Sequence, residues 1–306
     1  MFKVNRDWKF EAVFPEITAY TTTFNCVNGN YPFEESILSF NWCDKIVVVD
    51  GGSTDGTREK LAKLQEQLAG KMEVYDIPID ETMPGKDGYQ KAMAFAMCST
   101  PFAVQFDVDE FCRGDISKWR NYAKNFSNTT DILNLPVMEP YGNIKKLRIN
   151  PEHTCWKWRM LRVKPEITHG IPESDKLEVD GKIYSKGGSD GCAPVHVVHG
   201  AVIPSKPTDA ARTLDNLKRS GVWVEYKNAW DQIVEAGEPY VLHVGHVDLK
   251  NKIKHYLSSW RSWWNGLYNK PADHNIFFPN VSGEITDRMI DDKVAELKEK
   301  TPTVEL

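Results

Sequence analysis

Two acidic residues that follow an apolar segment carry the clearest chemical signal in the sequence. Residues 101–106 (PFAVQF) have the composition of a buried strand, and Asp107 and Asp109 come directly after them. In an extended segment, side chains two positions apart point to the same side. Two neighbouring carboxylates repel each other unless a cation lies between them, and such hard oxygen ligands suit Mg²⁺ or Mn²⁺. The spacing therefore predicts a site for a divalent cation of the kind that also binds diphosphates.

A second polar cluster follows an earlier apolar run. Residues 46–49 (IVVV) are typical of a parallel strand that is buried on both faces, and the sequence DGGSTDGT follows at 50–57. Asp50 can accept a hydrogen bond from a nucleobase N–H or from a ribose hydroxyl. Gly51 and Gly52 would let a ligand approach the backbone closely. This cluster suits a nucleotide.

The elements around these clusters alternate between strands and helices. Four β-α repeats predict an α/β fold, with a Rossmann-like, mainly parallel sheet that is flanked by helices. In such sheets ligands bind beyond the carboxyl ends of the strands, and both acidic clusters fall there. The predicted strands are 17–24, 46–49, 72–77 and 101–106, and the predicted helices lie around 33–40, 61–68 and 89–98.

Composition excludes several classes of protein. The chain has 306 residues, a net charge of −5 and 41% hydrophobic residues, which is ordinary globular usage. Nucleic-acid binding needs a basic face, and a net charge of −5 argues against one, so we expect no nucleic-acid partner. No run approaches the roughly 18 apolar residues of a membrane span, and the opening residues lack the apolar region of a secretion signal. The six cysteines form no C-x-x-C pair, which suits a reduced, cytoplasmic protein.

Taken together, these segments resemble a known family. Residues 47–57 (VVVDGGSTDGT), 85–88 (GKDG) and 106–110 (FDVDE) are similar to the corresponding motifs of family 2 glycosyltransferases of the GT-A fold. The resemblance covers about residues 15–115. It implies an enzyme that moves a sugar from a nucleoside-diphosphate sugar to an acceptor hydroxyl, with inversion and with Mn²⁺ or Mg²⁺. It also implies a role in the synthesis of a glycan, a polysaccharide or a lipid-linked saccharide.

The resemblance also assigns residues to the donor site. It places Asp50 near the base, Asp107 near the ribose and the metal, and Asp109 on the metal that bridges the diphosphate. Many GT-A enzymes complete the metal shell with a late histidine, for which His243 is the first candidate and His246 the second. The residues that would hold the nucleotide are Thr21, Thr23, Asp50, Gly52, Lys86 and Asp107.

The second half of the chain is expected to hold the acceptor and the general base. An inverting transferase needs a carboxylate that deprotonates the acceptor hydroxyl. Residues 158–162 (WRMLR) and 167–173 (ITHGIPE) are similar to a stretch "R-L-F…V-H-E" in a lipopolysaccharide-type branch of the family, although here three residues separate His from Glu. The resemblance makes Glu173 the candidate base, with His169 nearby and Asp175 as a competitor.

The sequence predicts one compound domain with three parts. These are a nucleotide-sugar-binding half (1–115), an acceptor-binding half (116–248) and a helical C-terminal extension (249–306). The first helix of the extension, around 249–268, has an apolar stripe and a lysine-rich face. It either packs against the catalytic domain or lies on a membrane surface, where it would approach a lipid-linked acceptor. The oligomeric state is left open.

Other classes of protein share this type of sheet. A non-catalytic protein could bind a nucleotide or a sugar without turning it over. A sugar nucleotidyltransferase is disfavoured because residues 20–25 (YTTTFN) lack a G-x-G-T-R-like loop. A nicotinamide-dependent enzyme is disfavoured because residues 25–30 (NCVNGN) lack G-x-G-x-x-G.

Overall fold

A computed structural model gives the fold of most of the chain. Two of the predicted bases, Glu173 and Asp175, lie outside the described residues. Lys86 is placed as the first residue of a helix, but its side chain is not among those described. The structure describes residues 2–4, 16–79, 86–126, 130–149, 155–164, 167–169, 177–179, 182–184, 194–198, 201–203, 206–260, 275–279, 281 and 284–306.

Strands and helices are labelled in chain order. The strands are β1 (Phe2–Val4), β2 (Ile17–Thr23), β3 (Lys45–Asp50), β4 (Met72–Asp76), β5 (Phe102–Gln105), β6 (Glu110–Arg113), β7 (Ile132–Met138), β8 (Lys146–Arg148), β9 (Trp156–Arg162), β10 (Ile167–His169), β11 (Leu177–Val179), β12 (Lys182–Tyr184), β13 (Pro194–Val198), β14 (Ala201–Ile203), β15 (Lys206–Pro207), β16 (Tyr240–His243) and β17 (Thr303–Glu305). The helices are α1 (Phe33–Ser39), α2 (Thr57–Gln67), α3 (Lys86–Ala96), α4 (Ile116–Lys124), α5 (Asp209–Ser220), α6 (Trp223–Glu235), α7 (Leu249–His255), which continues as a π-helical turn (Tyr256–Trp260), and α8 (Asp287–Lys300).

A nine-stranded sheet forms the centre of the molecule. Its strand order is β4-β3-β2-β5-β9-β7-β16-β6, with β15 paired to one end of β7. The strands β4, β3, β2 and β5 are parallel to one another, so their carboxyl ends lie at one edge. The predicted α/β fold with a mainly parallel sheet is therefore confirmed, and each of the four predicted strands is present.

Helices cover both faces of this parallel part. Continuous β-branched runs such as Ile46–Val49 are buried because each face of the strand has a partner layer. On one face, α1 and α2 contribute Phe33, Ile37 and Leu61 to a core that also contains Val48. On the other face, Ala94 and Phe95 of α3 pack against the sheet. Their partners are Tyr20, Val47 and Val49.

The sheet continues beyond the part that the sequence predicted. The strand β9 lies between β5 and β7 and pairs antiparallel with both, and β16 then lies between β7 and β6. The predicted halves 1–115 and 116–248 therefore share one sheet. The helices α5 and α6, which the sequence analysis did not predict, pack together through Leu214, Tyr226 and Trp230.

The C-terminal helices pack against the rest of the chain. On α7, Lys250 and Lys254 form ion pairs of 2.6 and 2.8 Å with Asp291 and Asp287 of α8. The Asn251 amide donates to the carbonyl of Gly29 at 2.7 Å. These contacts support the packing alternative for α7, while contact of this helix with a membrane surface stays a prediction. Among the described residues, no helix combines the length and the apolar character that crossing a membrane requires.

Candidate metal and nucleotide site

A cavity of about 330 Å³ opens at the carboxyl edge of the parallel strands. The loops after β2 and β5, the start of α3, the end of β16 and one face of α7 form its walls. Asp107, Asp109 and His243 line it together. The structure thus brings both predicted acids and one of the two predicted late histidines to a single pocket.

The two acids do not lie on an extended segment as predicted. The backbone N–H of Glu110 donates to the carbonyl of Asp107 at 2.9 Å, which closes a turn over residues 107–110. The extended conformation was therefore a wrong prediction. The turn is favoured because the chain must reverse from β5 into β6, and both carboxylates still line the cavity.

Strand pairing explains why Asp109 and His243 meet. In the register of β6 with β16, Glu110 lies opposite His243, and the N–H of Val244 donates to the carbonyl of Asp109 at 2.9 Å. The Nε2 atom of His243 lies 3.5 Å from Oδ2 of Asp109. A Cβ atom on residue 245 would collide with both groups, so Gly245 leaves the space in which they approach each other.

The imidazole of His243 is held from its other side. Leu242 pairs with Met138, the last residue of β7, in the parallel register of β16 and β7, so Glu139, which follows β7, comes beside His243. Oε1 of Glu139 lies 3.0 Å from Nδ1 of His243. When Nδ1–H donates to this carboxylate, the Nε2 lone pair faces Asp109, which is the arrangement that metal-binding histidines usually show. Asp109 and His243 therefore fit a divalent metal ion.

Electrostatics favours the charged form of these carboxylates. Burial raises the pKa of Asp109, but the adjacent His243 outweighs burial and lowers it below its ordinary value. Burial likewise raises the pKa of Glu139, and the hydrogen bond from His243 brings it well below the usual range. Burial and the charge of Lys157 lower the pKa of His243. Asp109 and Glu139 raise it by more, so the pKa of His243 lies above its ordinary value. A cation at this position, whether a proton or a metal, is stabilised by two carboxylates.

Asp107 has a different environment from Asp109. Its Oδ1 lies 2.8 Å from Nζ of Lys91 and accepts from the amide of Gln105 at 2.9 Å, and its Oδ2 lies 3.2 Å from Arg159. Burial raises its pKa, but Lys91 and Arg159 bring it well below the ordinary value. Both oxygens of Asp107 already face cations, whereas Asp109 lies beside His243, so Asp109 is the better placed of the two to bind a metal. Metal binding by Asp107 stays a prediction.

A buried ion-pair network supports the floor of the site. Glu110 and Arg159 are fully buried and 2.6 Å apart, and Lys157 lies 2.9 Å from the same carboxylate. The pKa of Glu110 is raised by burial but lowered more by Arg159 and Lys157, so it stays below the ordinary value. Both cations come from β9, and Lys157 also lines the cavity. Neither Lys157 nor Arg159 was predicted from the sequence to belong to the donor site.

The carboxylate of Asp50 stabilises the loop after β3 through hydrogen bonds. Its Oδ1 accepts from the hydroxyls of Thr23 and Ser53 at 2.8 and 2.6 Å, and its Oδ2 accepts from the N–H groups of Gly52 and Ser53 at 3.1 and 2.8 Å. The residue is 1% exposed and does not line the cavity, whereas Thr23 does. Contact of Asp50 with a base would require some of these four bonds to open. Thr21 lies buried within β2, away from the cavity lining.

His169 does not belong to the pocket. It is completely buried, its Nε2 lies 2.7 Å from the hydroxyl of Tyr20, and its ring meets Phe95 edge-on. These contacts belong to the core on the α3 face of the sheet. Since the ring is buried in this core and is not part of the cavity lining, these contacts favour a core role for His169, and a catalytic role stays a prediction.

His246, the second predicted late histidine, lies just behind His243. Their ring centroids are 5.4 Å apart, and His246 stacks on Tyr141 at 6.0 Å. Its Nδ1 is buried and has no hydrogen-bond partner among the described residues. Ligand atoms of Glu139, His243 and His246 lie within 4.8 Å of one another. His246 does not line the cavity. It therefore packs against His243 behind the metal site and does not face a ligand in the cavity.

Helix α7 closes the cavity from the opposite side. Lys252 and His255 line it, and His255 packs edge-on against Tyr31 at 5.3 Å. Burial and the charge of Lys252 lower the pKa of His255 to about 4, so this ring is neutral near pH 7. The cavity therefore combines the acids of the metal site with the cations Lys157 and Lys252.

Comparison with known proteins gives matches among solved structures. No protein-family model matches the chain, and no curated protein matches it significantly. S. aureus TarS is 17% identical over 48% of this chain, with a TM-score of 0.35, and the match spans 28% of the length of that TarS chain. TarS 1-349 in complex with UDP is 13% identical over 80% of this chain and 72% of that chain, with a TM-score of 0.37. The mannosyltransferase PcManGT from Pyrobaculum calidifontis, in complex with GDP-Man and Mn²⁺, is 12% identical over 94% of this chain and 81% of that chain, with a TM-score of 0.38. At these identities and scores the likeness assigns no activity to the chain.

Proposed function

We propose that this protein is a metal-dependent glycosyltransferase of the GT-A type that transfers a sugar from a nucleoside-diphosphate sugar to an acceptor hydroxyl. The observation that carries the proposal is the pair Asp109 and His243, whose Oδ2 and Nε2 atoms lie 3.5 Å apart at the carboxyl edge of the sheet. The resemblance of the segments 47–57 and 106–110 to family 2 glycosyltransferases leads to the same activity. Mn²⁺ or Mg²⁺ is the metal that this activity favours, because carboxylate and diphosphate oxygens are the ligands that these ions prefer.

The charges around the cavity suit a diphosphate. A metal on Asp109 and His243 would face Lys157 and Lys252, which line the same cavity. A volume of about 330 Å³ is at the lower end of the range of small-molecule sites, which supports a site for the nucleotide part of a donor. Fixed positive groups of this kind stabilise the negative charge that develops on a leaving diphosphate.

Within this proposal the residues have separate tasks. The metal would act as a Lewis acid on the diphosphate when it is bound. Asp109 and His243 hold it, Glu139 orients His243, and the Arg159 network keeps the turn 107–110 in place. The acceptor base remains a prediction, with Glu173 first and Asp175 second. Inversion at the anomeric carbon, the assignment of 116–248 to the acceptor, and a cytoplasmic role in glycan or lipid-linked saccharide synthesis belong to the same proposal.

Donor turnover tests the proposal directly. The protein is incubated with a panel of nucleoside-diphosphate sugars and Mn²⁺, and the release of nucleoside diphosphate is measured with and without a chelator. We expect release with at least one donor, loss of release with the chelator, and loss of more than 100-fold in Asp109→Ala. The control is Asp209→Ala, which changes a fully exposed aspartate that does not line the cavity. Full activity of Asp109→Ala in the presence of the chelator would refute the proposal.

The same panel separates the enzyme from the non-catalytic alternative. A non-catalytic protein would bind a nucleoside diphosphate in the presence of Mn²⁺ and would turn over no donor with any acceptor. Release of pyrophosphate from a nucleoside triphosphate and a sugar phosphate would instead indicate a nucleotidyltransferase.

A further inference from the structure

Helix α7 reaches the cavity from outside the central sheet. Its residues Lys252 and His255 line the cavity together with Asp109 and His243 of the metal site. Burial raises the pKa of Asp109, and the charges of His243 and Lys252 lower it, so Lys252 acts on this end of the cavity. The position of α7 therefore decides where the charge of Lys252 lies relative to a bound anion.

The apolar side of α7 packs on the C-terminal part of the chain. Ile253 forms a small cluster with Phe278 and Ile290, and among the described residues every member of that cluster follows α6 and β16. The two ion pairs between α7 and α8 lie within the same part of the chain. These contacts stabilise α7 against α8, but they do not hold α7 against the cavity.

Two contacts join α7 to the loop after β2. The side-chain amide of Asn251 donates from Nδ2 to the carbonyl of Gly29 at 2.7 Å, and the ring of His255 meets the ring of Tyr31 edge-on at 5.3 Å. Because Asn251 and His255 are four positions apart, they lie on the same face of the helix. Tyr31 and His255 both line the cavity, so this face of α7 joins the cavity wall.

The loop presents a fixed acceptor to Asn251. The N–H of Gly29 donates to the carbonyl of Asn25, and the N–H of Tyr31 donates to the carbonyl of Cys26, each at 3.0 Å. A Cβ atom on residue 29 would lie 2.6 Å from two ring atoms of Tyr31, so glycine leaves the space for this ring. One hydrogen-bonded loop thus places Tyr31 at the cavity and the carbonyl of Gly29 against α7.

We propose that Asn251 is a positioning residue, whose bond to Gly29 holds α7 so that Lys252 contacts the diphosphate of the donor. This inference rests on the proposed function and names a residue that serves the donor site from outside the cavity lining. Lys252 is the next residue of the helix, so a shift of Asn251 moves Lys252 as well. The attraction between an ammonium group and a phosphate weakens as their separation grows. Loss of the bond to Gly29 should therefore weaken the binding of a diphosphate.

A double-variant cycle tests whether Asn251 acts through Lys252. Calorimetry measures the binding of UDP, GDP, CDP and ADP in the presence of Mn²⁺, and the tightest of the four is carried through the variants. These are Asn251→Leu, which removes the donor at similar size without adding a charge, Lys252→Met, and the combination of both changes. The matched control is Asn216→Leu, the same change at an exposed position of α5.

The expected losses do not add. Lys252→Met should lose about tenfold in diphosphate affinity, the effect of one hydrogen bond to a charged group, and Asn251→Leu about fivefold. The combined variant should lose no more than Lys252→Met alone, because two changes that act through one group are not independent. Asn216→Leu should bind as the unchanged chain does.

The affinity for Mn²⁺ without nucleotide separates positioning from a merely structural role. Asp109 and His243 lie on the turn after β5 and at the end of β16, so a shift of α7 leaves them in place. We expect Asn251→Leu to bind Mn²⁺ as tightly as the unchanged chain. A loss of Mn²⁺ affinity as large as the loss of diphosphate affinity would show that the bond supports the site as a whole, and it would overturn the inference.

The binding outcomes distinguish this inference from the proposed function. Losses that multiply in the combined variant, unchanged diphosphate affinity in Asn251→Leu or in Lys252→Met, or an equal loss in Asn216→Leu would overturn the role of Asn251 alone. If the unchanged chain binds none of the four diphosphates with Mn²⁺, the proposed function fails and the inference fails with it.

Discussion

The metal pair depends on two residues that are 134 positions apart in the sequence but 3.5 Å apart in the fold. Asp109 comes from the turn after β5, and His243 from the end of β16. Neither residue type is unusual alone, since lone histidines and surface acids are common. What makes them a candidate site is the convergence of a carboxylate and an oriented imidazole on one cavity, with Gly245 leaving the space between them.

Glu139 is expected to tune this site without contacting the metal. Changing Glu139→Gln keeps the size of the side chain but removes the negative charge beside Nδ1 of His243. Partners of metal-binding histidines typically contribute about 10–100-fold to metal affinity, so we expect a loss in that range. The measurement is the dissociation constant for Mn²⁺, with the exposed Glu235→Gln as the matched control. Unchanged Mn²⁺ affinity in Glu139→Gln would mean that this carboxylate does not orient the ligand.

At the residue scale, the sequence and its resemblance pointed to both acids and to His243, but not to the residues that surround them. Asp107 and Asp109 were found because a strand end followed by acids is a local pattern. Glu139 directly follows the apolar run 132–138 (ILNLPVM), so the same local pattern could have identified it. Lys157 and Arg159 have no local signal, because their roles come from the antiparallel pairing of β9 with β5 and β7. Long-range register of this kind cannot be read from spacing.

Among the elements, β9 is the strand that holds the floor of the site. Arg159 projects from it to Glu110 at the start of β6, and both side chains are fully buried. Changing Glu110→Gln leaves Arg159 with an incompletely compensated charge away from water. Loss of one partner of a buried pair typically costs about 3–5 kcal/mol, so we expect the free energy of unfolding to fall by about that amount.

Chemical denaturation measures this loss. The matched control is Glu66→Gln on α2, where the same change affects an exposed side chain and should alter stability by less than about 0.5 kcal/mol. Equal stability of Glu110→Gln and Glu66→Gln would contradict the role of the network.

The same carboxylates predict how stability depends on pH. Burial raises the pKa of Asp107 and Glu110, but their cationic partners outweigh it, so both pKa values are lower in the folded chain than in the unfolded chain. As the pH falls below about 5, the unfolded chain takes up more protons than the folded chain. The free energy of unfolding should therefore be largest above the ordinary carboxylate pKa and decrease on acidification.

Urea denaturation between about pH 7 and pH 3 tests this dependence. We expect a shallower decrease in Glu110→Gln than in the unchanged protein, because one of the responsible groups no longer titrates. A free energy of unfolding that stays constant or rises over this interval would contradict the assignment.

Local patterns predicted the early elements well. The strands β2, β3, β4 and β5 and the helices α1, α2 and α3 appear within a few residues of their predicted bounds. The prediction of an extended segment at 107–110 was wrong, because β6 pairs with β16 and the chain reverses before it. The helices α5 and α6 were not predicted, although the burial of Leu214 and Trp230 shows that each has an apolar face.

For the whole molecule, the main finding is that one sheet joins both predicted halves. The strands β2 to β5 supply the carboxyl edge, β9 and β16 supply Lys157 and His243, and Glu139 directly follows β7. The boundary at residue 115 therefore marks a change in sequence pattern and not a break in the sheet. The fold class could be predicted from composition and periodicity. The assembly of the site could not, because it depends on the register of strands that are distant in the sequence.

Calorimetric titration of Mn²⁺ tests the central claim most directly. The proteins are the unchanged chain, Asp109→Ala, His243→Ala and the exposed control Asp209→Ala. The account predicts that the unchanged chain and the control bind Mn²⁺ with the same affinity, and that each site variant loses at least about tenfold. If Asp109→Ala and His243→Ala both bind Mn²⁺ as tightly as the unchanged chain, these residues do not form the metal site.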